Sequence, residues 1–502
     1  MLFGTQRISV AVAVWKGLTP RRTFQIPSHY KPSEPVKHLP FSDLCRIWFN
    51  SFKPNRLKTL QDELVELVYS AEHRKNLNVT VSNKKVPVDD KGNFINEVCF
   101  EVINDSQKPT KHIVFVHGYG ASLGCFARNF QLIDKFVDMN HNYKVHFLDN
   151  LSFGLSSNPK IQSSSTSING WPIERCPPVK LDDPEPTDRQ KLYNKYYKLV
   201  KSFSVEEDKF REYQQKFTPI LQEIENYYLE GIDGWRQSSG IEKIDYLVGH
   251  SYGGYWSASY GVRYPNHLRN LILLSPVGVE RHIHSIKHPL KFEDPNKIQP
   301  TLDPTDHNFL SRIPILPRKT VRHWYDLQPY LPRLLKLMGP WGVAKYYEMW
   351  YSKLFKINKL ITKLGGPEKV FKSQIDLHYG SNRECHLIIE YLYNSITNGT
   401  VSDIYIKYLL TPSTVSKHPI FDKFNEFLKN NQWDDKFEVH FLYGQYDFMN
   451  SEAGSKLVEL VNKQTQTQTA EFHTVGEGGH NLYIDNPFET NSLIHDIVKR
   501  QD

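Results

Sequence analysis

The stretch Val248-Gly249-His250-Ser251-Tyr252-Gly253-Gly254 constrains this chain more than any other. It follows the apolar run Ile244 to Val248 and opens the helix-like segment Tyr255 to Tyr264. A serine that is to attack an ester must stand clear of its sheet beside a base, so the chain has to turn sharply from strand to helix, and glycines on both sides permit that turn. The five-residue pattern Gly249-x-Ser251-x-Gly253 also fits a glycine-rich turn with no chemistry. The choice rests on what lies downstream. The segment Phe437 to Tyr443 reads as a buried strand that delivers Asp447 just past a glycine turn, where an acid that orients a histidine belongs. Glu471 to Val475 is the last expected strand, and the loop Gly476-Glu-Gly-Gly-His480 can swing an imidazole toward Ser251. Ser251 is therefore the candidate nucleophile, His480 the base and Asp447 the acid, while His250 is expected to be structural.

The chain before the elbow supplies a sheet. Residues 41–76 form a helical arm, with apolar side chains recurring at three and four. Leu77 to Val81 and Phe94 to Ile103 alternate about a Lys/Asp/Gly turn and predict an antiparallel hairpin. His112 to His117 is a solidly apolar strand of the kind buried on both faces. It ends in Gly118-Tyr119-Gly120, which places the backbone N–H of Tyr119 as one oxyanion donor, with the N–H of Tyr252 as the second. Val145 to Asp149 is the next strand, and Asp149 is expected to organise the turn after it. Residues 157–188 read as a flexible surface insertion, and 189–230 resume helical periodicity. Strand, helix and strand in alternation through Leu274 predict a parallel sheet with right-handed crossovers. The core thus covers 77–276 and 431–502, interrupted by a helical lid over 277–430.

Charge matters through its distribution. Net charge is +7 over 502 residues, yet residues 281–372 hold 17 Lys/Arg against 7 Asp/Glu. Those cations sit among Trp324, Tyr325, Tyr330, Trp341, Tyr346, Tyr347, Trp350, Tyr351 and Phe355. Such a mixture suits the surface of an anionic bilayer, or else an aromatic-rich cap with solvated lysines. Lys353, Lys356 and Lys359 are the candidate lipid-headgroup contacts. Nucleic acid is not supported, because no binding motif accompanies the charge. With a mean hydropathy of −0.52 and no run of eighteen apolar residues, integral insertion is not expected. Five scattered cysteines without CxxC spacing read as free thiols in a reducing compartment, with no metal and no cofactor implied. The first 33 residues contain no acid but include Arg7, Lys16, Arg21, Arg22 and Lys31, so residues 1–40 are expected to be a mitochondrial presequence with its linker.

Five stretches together carry a family resemblance: Val116-His-Gly-Tyr-Gly120, Gly154-Leu-Ser-Ser157, Gly249 to Gly254, Leu274-Ser-Pro-Val-Gly278 and His480-Asn-Leu-Tyr-Ile-Asp485. Over roughly residues 95–500 the chain resembles the α/β-hydrolase lipid enzymes that include fungal mitochondrial cardiolipin-specific deacylases, lysophosphatidic acid acyltransferases and the animal lipase coactivator. The resemblance implies an α/β-hydrolase fold: a mostly parallel eight-stranded sheet flanked by helices, with a helical lid insertion. It implies a phospholipid substrate, with acyl-CoA as a further substrate if the enzyme is an acyltransferase. That family associates the His-x4-Asp pattern of His480 and Asp485 with acyl transfer, although Asp485 also suits a helix cap. Where the coactivator carries Asn, this chain has Ser251. Three readings stay open: a phospholipid deacylase peripheral on the inner mitochondrial membrane, an acyltransferase, and a noncatalytic lipid-surface scaffold.

Overall fold

The computed structural model describes residues 35–162, 168, 173–182, 200–313, 316–326, 331–366, 370, 378–430, 433 and 436–502. Residues 1–34 of the expected presequence lie outside these, as do 163–167, 169–172 and 183–188 of the expected insertion.

Eight strands form the central sheet: β1 Val79–Pro87, β2 Phe94–Val102, β3 Thr110–Val116, β4 Asn142–Leu148, β5 Ile244–His250, β6 Leu268–Leu274, β7 Glu438–Gly444 and β8 Ala470–Val475. Their spatial order is β1-β2-β4-β3-β5-β6-β7-β8. β1 pairs antiparallel with β2, and β2 antiparallel with β4, so the hairpin forms one margin; every other pairing is parallel. Parallel strands need both faces covered. Accordingly the sheet residues divide by alternation. Phe100, Ile113, Phe115, Phe147 and Val248 enter one apolar cluster, and Val114, Val116, Leu148 and Leu247 the other.

The helices that cover those faces are α1 Phe41–Asn50, α2 Arg56–Val68, α3 Glu207–Ser238, α4 Tyr252–Arg263, α5 Pro340–Phe355, α6 Ile357–Lys363, α7 Asn382–Thr397, α8 Ile420–Lys429, α9 Ser451–Thr465 and α10 Pro487–Lys499. Capping explains several starts. The Ser381 side chain accepts from the N–H of Glu384 to open α7, Asn450 does the same for Ala453 in α9, and Asn486 accepts from Glu489 with Pro487 at the first turn of α10.

The segment 277–430, where the lapse in alternation predicts a helical lid, contributes cleft-lining residues from α5 and α6 and also packs into the core. α7 is buried almost throughout and packs on α2 and α5 within the main core, and α8 packs on α4 and α9 as a flanking helix. α7 buries Glu384, His386, Glu390 and Asn394 along with its apolar side chains, so its mixed sequence does not say whether it caps the site or fills the core. The aromatic residues of this segment divide in the same way. Tyr325, Tyr346, Tyr347 and Tyr351 are buried; Trp341 is 68% exposed, with Leu337 at 76% and Met338 at 50%. Tyr346, Tyr347 and Tyr351 face α7, where Tyr347 meets His386 and Tyr346 meets Tyr393, and Tyr325 lies in the other apolar cluster beside Cys176, so all four are core rather than surface. Among the described residues no helix is long and apolar enough to cross a membrane.

Candidate active site

β5 delivers Ser251 at the carboxyl edge of the sheet with φ 51° and ψ −113°, a backbone conformation that costs a residue with a side chain about 1–3 kcal/mol. Surrounding contacts hold it there. The Ser251 N–H donates to the Leu274 carbonyl at 3.0 Å, and the Ser251 carbonyl accepts from Tyr255 at 3.0 Å and from Val277 at 3.2 Å. The elbow glycines are required by proximity. A Cβ at Gly253 would lie 2.4 Å from the carbonyl oxygens of both Val116 and His117, and one at Gly249 would lie 2.4 Å from Ser257 Oγ. Helix α4 therefore starts hard against the end of β3, which leaves the serine raised above both.

Two loops bring the partners to it. After β7, Asp447 accepts at Oδ1 from His480 Nδ1–H at 3.1 Å, and His480 Nε2 then accepts from the Ser251 hydroxyl at 2.9 Å. The loops lie back to back: Gln445 N–H donates to the Val475 carbonyl at 2.9 Å and Tyr446 N–H to the Gly478 carbonyl at 2.8 Å. A Cβ at Gly444 would come within 2.2 Å of the Gly479 carbonyl oxygen, so only glycine allows this approach. The Asp447 side chain is 1% exposed. Burial pushes its pKa upward, but hydrogen bonds from His480 and from the Met449 N–H outweigh it and hold the carboxyl below its ordinary value. It stays ionised beside the imidazole.

His250 has the structural place expected of it. Its Nε2–H donates to the His480 carbonyl at 3.0 Å, and burial together with the neighbouring His480 lowers its pKa to about 3, so it props the loop as a neutral ring. Asp149 organises its turn: its carboxylate accepts from the N–H groups of Leu123 and Leu155 and from Asn96 Nδ2. Tyr252, as the first residue of α4, has no intrahelical acceptor for its N–H. A Cβ at Gly118 would sit 3.2 Å from Ser251 Cβ, so the backbone leading into Tyr119 passes directly beside the serine. The backbone before Tyr119 and the start of α4 thus lie beside the nucleophile. The Tyr119 hydroxyl donates to Asp403 at 2.7 Å.

Asp485 caps no helix; Asn486 caps the one that follows. Its Oδ2 accepts from the Gly479 N–H at 2.9 Å, next to His480, and it also lines the cleft. Burial raises its pKa, offset in part by that N–H and by Arg128, Lys353 and Lys356. Replacing Asp485 with Ala removes one hydrogen bond that fixes the base loop, worth about 1 kcal/mol, so kcat is expected to fall roughly three- to tenfold with KM little changed. Steady-state kinetics on a soluble ester test this; an unchanged kcat would show that Asp485 does not position the loop.

The serine opens into a cleft of about 770 Å³. Trp350, Leu360, Tyr446 and Phe448 give it apolar walls, and the Phe448 ring lies 4.5 Å from that of His480, tilted by 47°. Lys353, Lys356, Lys359 and Lys363 line one side from α5 and α6, all exposed. The first three make no ion pair among the described residues, whereas Lys363 pairs with Glu477. Lys353 near the end of α5, Lys356 at the junction, and Lys359 and Lys363 on α6 all border the mouth. None of the groups of metal-binding side chains found among the described residues lies in this cleft.

The sequence reading missed a buried ion pair behind the site. Arg128 holds Glu384 through Nε at 2.8 Å and Nη2 at 2.9 Å, and donates to the carbonyls of Leu354 and Ile484. No spacing links residues so far apart. The one available signal was an arginine set between Phe126 and Phe130.

The model of the alpha/beta hydrolase fold family matches residues 111–322. The chain is 27% identical over 448 residues to Protein ECM18 of Saccharomyces cerevisiae, covering 88% of this chain and 79% of that protein. It is 27% identical over 391 residues to the same yeast's 1-acylglycerol-3-phosphate O-acyltransferase ICT1, covering 74% and 78%. It is 22% identical to human 1-acylglycerol-3-phosphate O-acyltransferase ABHD5, covering 78% of each. Among solved structures, the carboxylesterase CesB of Bacillus subtilis overlaps at a TM-score of 0.40 with 12% identity, covering 88% of this chain and 97% of that one. With its strand order, its elbow and its matched core, the chain has the α/β-hydrolase fold.

Proposed function

We propose that the protein is a serine-dependent acyl-ester hydrolase of anionic phospholipids, with cardiolipin the favoured substrate. The observation that carries this is the unbroken relay from Asp447 through His480 to Ser251, open to a cleft with apolar walls and a lysine-lined rim. His480 takes the Ser251 proton as Oγ attacks the acyl carbonyl. The N–H groups of Tyr119 and Tyr252 hold the developing oxyanion, and Asp447 stabilises the imidazolium. His480 then returns the proton to the departing lysophospholipid oxygen, which leaves an acyl-serine. Water, activated by the same imidazole, releases the fatty acid. An apolar wall accepts the acyl chain and a line of ammonium groups accepts phosphate, a division of labour that a phospholipid meets and a neutral ester does not.

The names of the relatives favour a second reading. Several are called 1-acylglycerol-3-phosphate O-acyltransferases. In that reaction an acyl-CoA would load Ser251, and the hydroxyl of a lysophosphatidic acid would replace water in the second half. The test incubates purified protein with labelled cardiolipin, with phosphatidylcholine, and with lysophosphatidate plus acyl-CoA. Fatty acid release from cardiolipin supports the first reading; acyl-CoA-dependent phosphatidate formation without release replaces it with the second. The inner mitochondrial membrane is the proposed place of action, because an acid-free basic segment begins the chain. Deleting residues 1–40 should leave the protein outside mitochondria.

Changing Lys353, Lys356 and Lys359 together to Glu reverses the sign of the rim. At about 1 kcal/mol for each cation near an anionic surface, binding to cardiolipin vesicles is expected to weaken by roughly 100-fold. Turnover of a short uncharged ester should stay within about twofold, since none of the three touches the relay. Unchanged sedimentation with liposomes would contradict the headgroup role.

A further inference from the structure

A second polar constellation lies on the sheet face covered by α3, away from the serine cleft. β2 pairs with β4 so that Cys99 stands opposite His146, and Glu97, two residues earlier on β2, projects from the same face. His146 in turn neighbours Val114 of β3, on the apolar face that also holds Val116 and Leu148. The three polar side chains are buried: Glu97 is 4% exposed, His146 4% and Cys99 8%. Glu97 pairs with His146 Nδ1, and the Cys99 thiol lies beside that pair on the inward face of the antiparallel margin.

The atoms have the arrangement of a ligand set. One carboxylate oxygen of Glu97, Sγ of Cys99 and one ring nitrogen of His146 all lie within 4.8 Å of one another. Tetrahedral bonds of about 2.0–2.3 Å would set them about 3.3–3.8 Å apart, a rotamer adjustment away. Around His146 the shell is already built. Its Nδ1 faces Glu97, its Nε2 lies 3.0 Å from His112 Nδ1, and Trp235 of α3 packs edge-on at 5.1 Å. A histidine that coordinates through one nitrogen donates its other N–H to a neighbour that fixes the ring, and His112 stands in that place. Of the three lysines that line the cavity, Lys144 pairs with Glu101 at 3.0 Å and Lys85 lies over the Phe94 ring at 4.7 Å; Lys84 is the third. A cavity of about 640 Å³ borders Glu97, Cys99, His112 and His146, which gives an entry path and room for a water as fourth ligand. None of the residues around it belongs to the serine cleft.

We propose that Glu97, Cys99 and His146 bind a divalent cation of the zinc class, with His112 orienting the His146 ring. Thiolate with imidazole selects borderline and soft ions over magnesium or calcium. The ion would pin the antiparallel margin of the sheet, β2 to β4, where the hairpin joins the parallel core. The elbow strand β5 is two strands away from β4, so the site is structural with respect to the ester chemistry and stands or falls independently of it.

The test uses the full chain, purified after growth with added zinc and desalted before metal analysis, then exchanged with cobalt(II). About one zinc per chain is expected, and cobalt should give a thiolate-to-metal absorption band together with a higher melting temperature than the metal-free protein. Cys99→Ser should abolish the band, and Glu97→Gln should weaken cobalt binding at least tenfold, while Ser251→Ala keeps both metal and band. Circular dichroism of both site variants guards against simple misfolding, and Glu97→Gln keeps the shape of the side chain if Cys99→Ser does not fold. Metal-free protein that takes up neither zinc nor cobalt overturns the proposal, as does a cobalt band that survives in Cys99→Ser.

Discussion

Replacing Ser251 with Ala is expected to lower acyl-ester turnover by on the order of 10⁴- to 10⁶-fold while leaving the fold intact. The alanine removes the oxygen that forms the acyl intermediate and nothing that holds the loops, since the Asp447–His480 bond and the Gln445 and Tyr446 backbone bonds do not pass through it. His480→Ala should cost nearly as much, and the double variant little more than either alone, because nucleophile and base act as one unit. Residual hydrolysis would come from the oxyanion donors of Tyr119 and Tyr252 acting on bound substrate. A labelled fluorophosphonate gives the complementary readout: it should mark the wild type at Ser251 and leave the alanine variant unmarked. Equal turnover by wild type and Ser251→Ala on every phospholipid would leave only a lipid-binding scaffold.

Much of the site was legible because its parts are local. Ser251 announces itself through an apolar strand, close glycines and a small-residue helix, all within twenty positions. Asp447 and His480 each follow a short buried strand at a glycine turn, so strand patterning alone placed them at one sheet edge, and their hydrogen bonds join them to the serine. The hairpin and the parallel run were legible for the same reason, since alternation and solid apolar runs report which faces are buried.

What escaped depends on register or on distance. Glu97, Cys99 and His146 meet only because β2 lies antiparallel to β4 with Cys99 opposite His146; a slip of one residue would send His146 to the other face. Cysteine spacing, which looks for ligands near in sequence, is blind to that arrangement. The tyrosines of α5 misled for a different reason. A helix rich in Tyr and Lys reads the same whether the rings meet headgroups or another helix, and only the position of α7 shows that Tyr346, Tyr347 and Tyr351 are core while Trp341 is not.

Glu384→Gln is expected to destabilise the protein by roughly 3–5 kcal/mol, the largest stability loss of any single conservative change here. Arg128 is 1% exposed and Glu384 0%, so neither charge has water to fall back on. Burial alone would lower the Arg128 pKa, but Glu384 more than reverses it; the guanidinium stays charged, and in the variant it is left without a counterion. The same guanidinium holds the carbonyl of Leu354 at the end of α5 and that of Ile484 just after the base loop. Loosening it should therefore also disturb the lysine rim and His480, so kcat is expected to fall even under conditions where Glu384→Gln remains folded. Replacing both partners with apolar residues, Arg128→Met with Glu384→Leu, removes the uncompensated charge and should recover most of the lost stability, because the pair's desolvation cost disappears with it. Urea denaturation of wild type, the two single variants and the double variant gives the coupling energy directly. Single losses that simply add in the double variant would mean that the two charges are not coupled, and that the end of α5 and the base loop are fixed by packing instead.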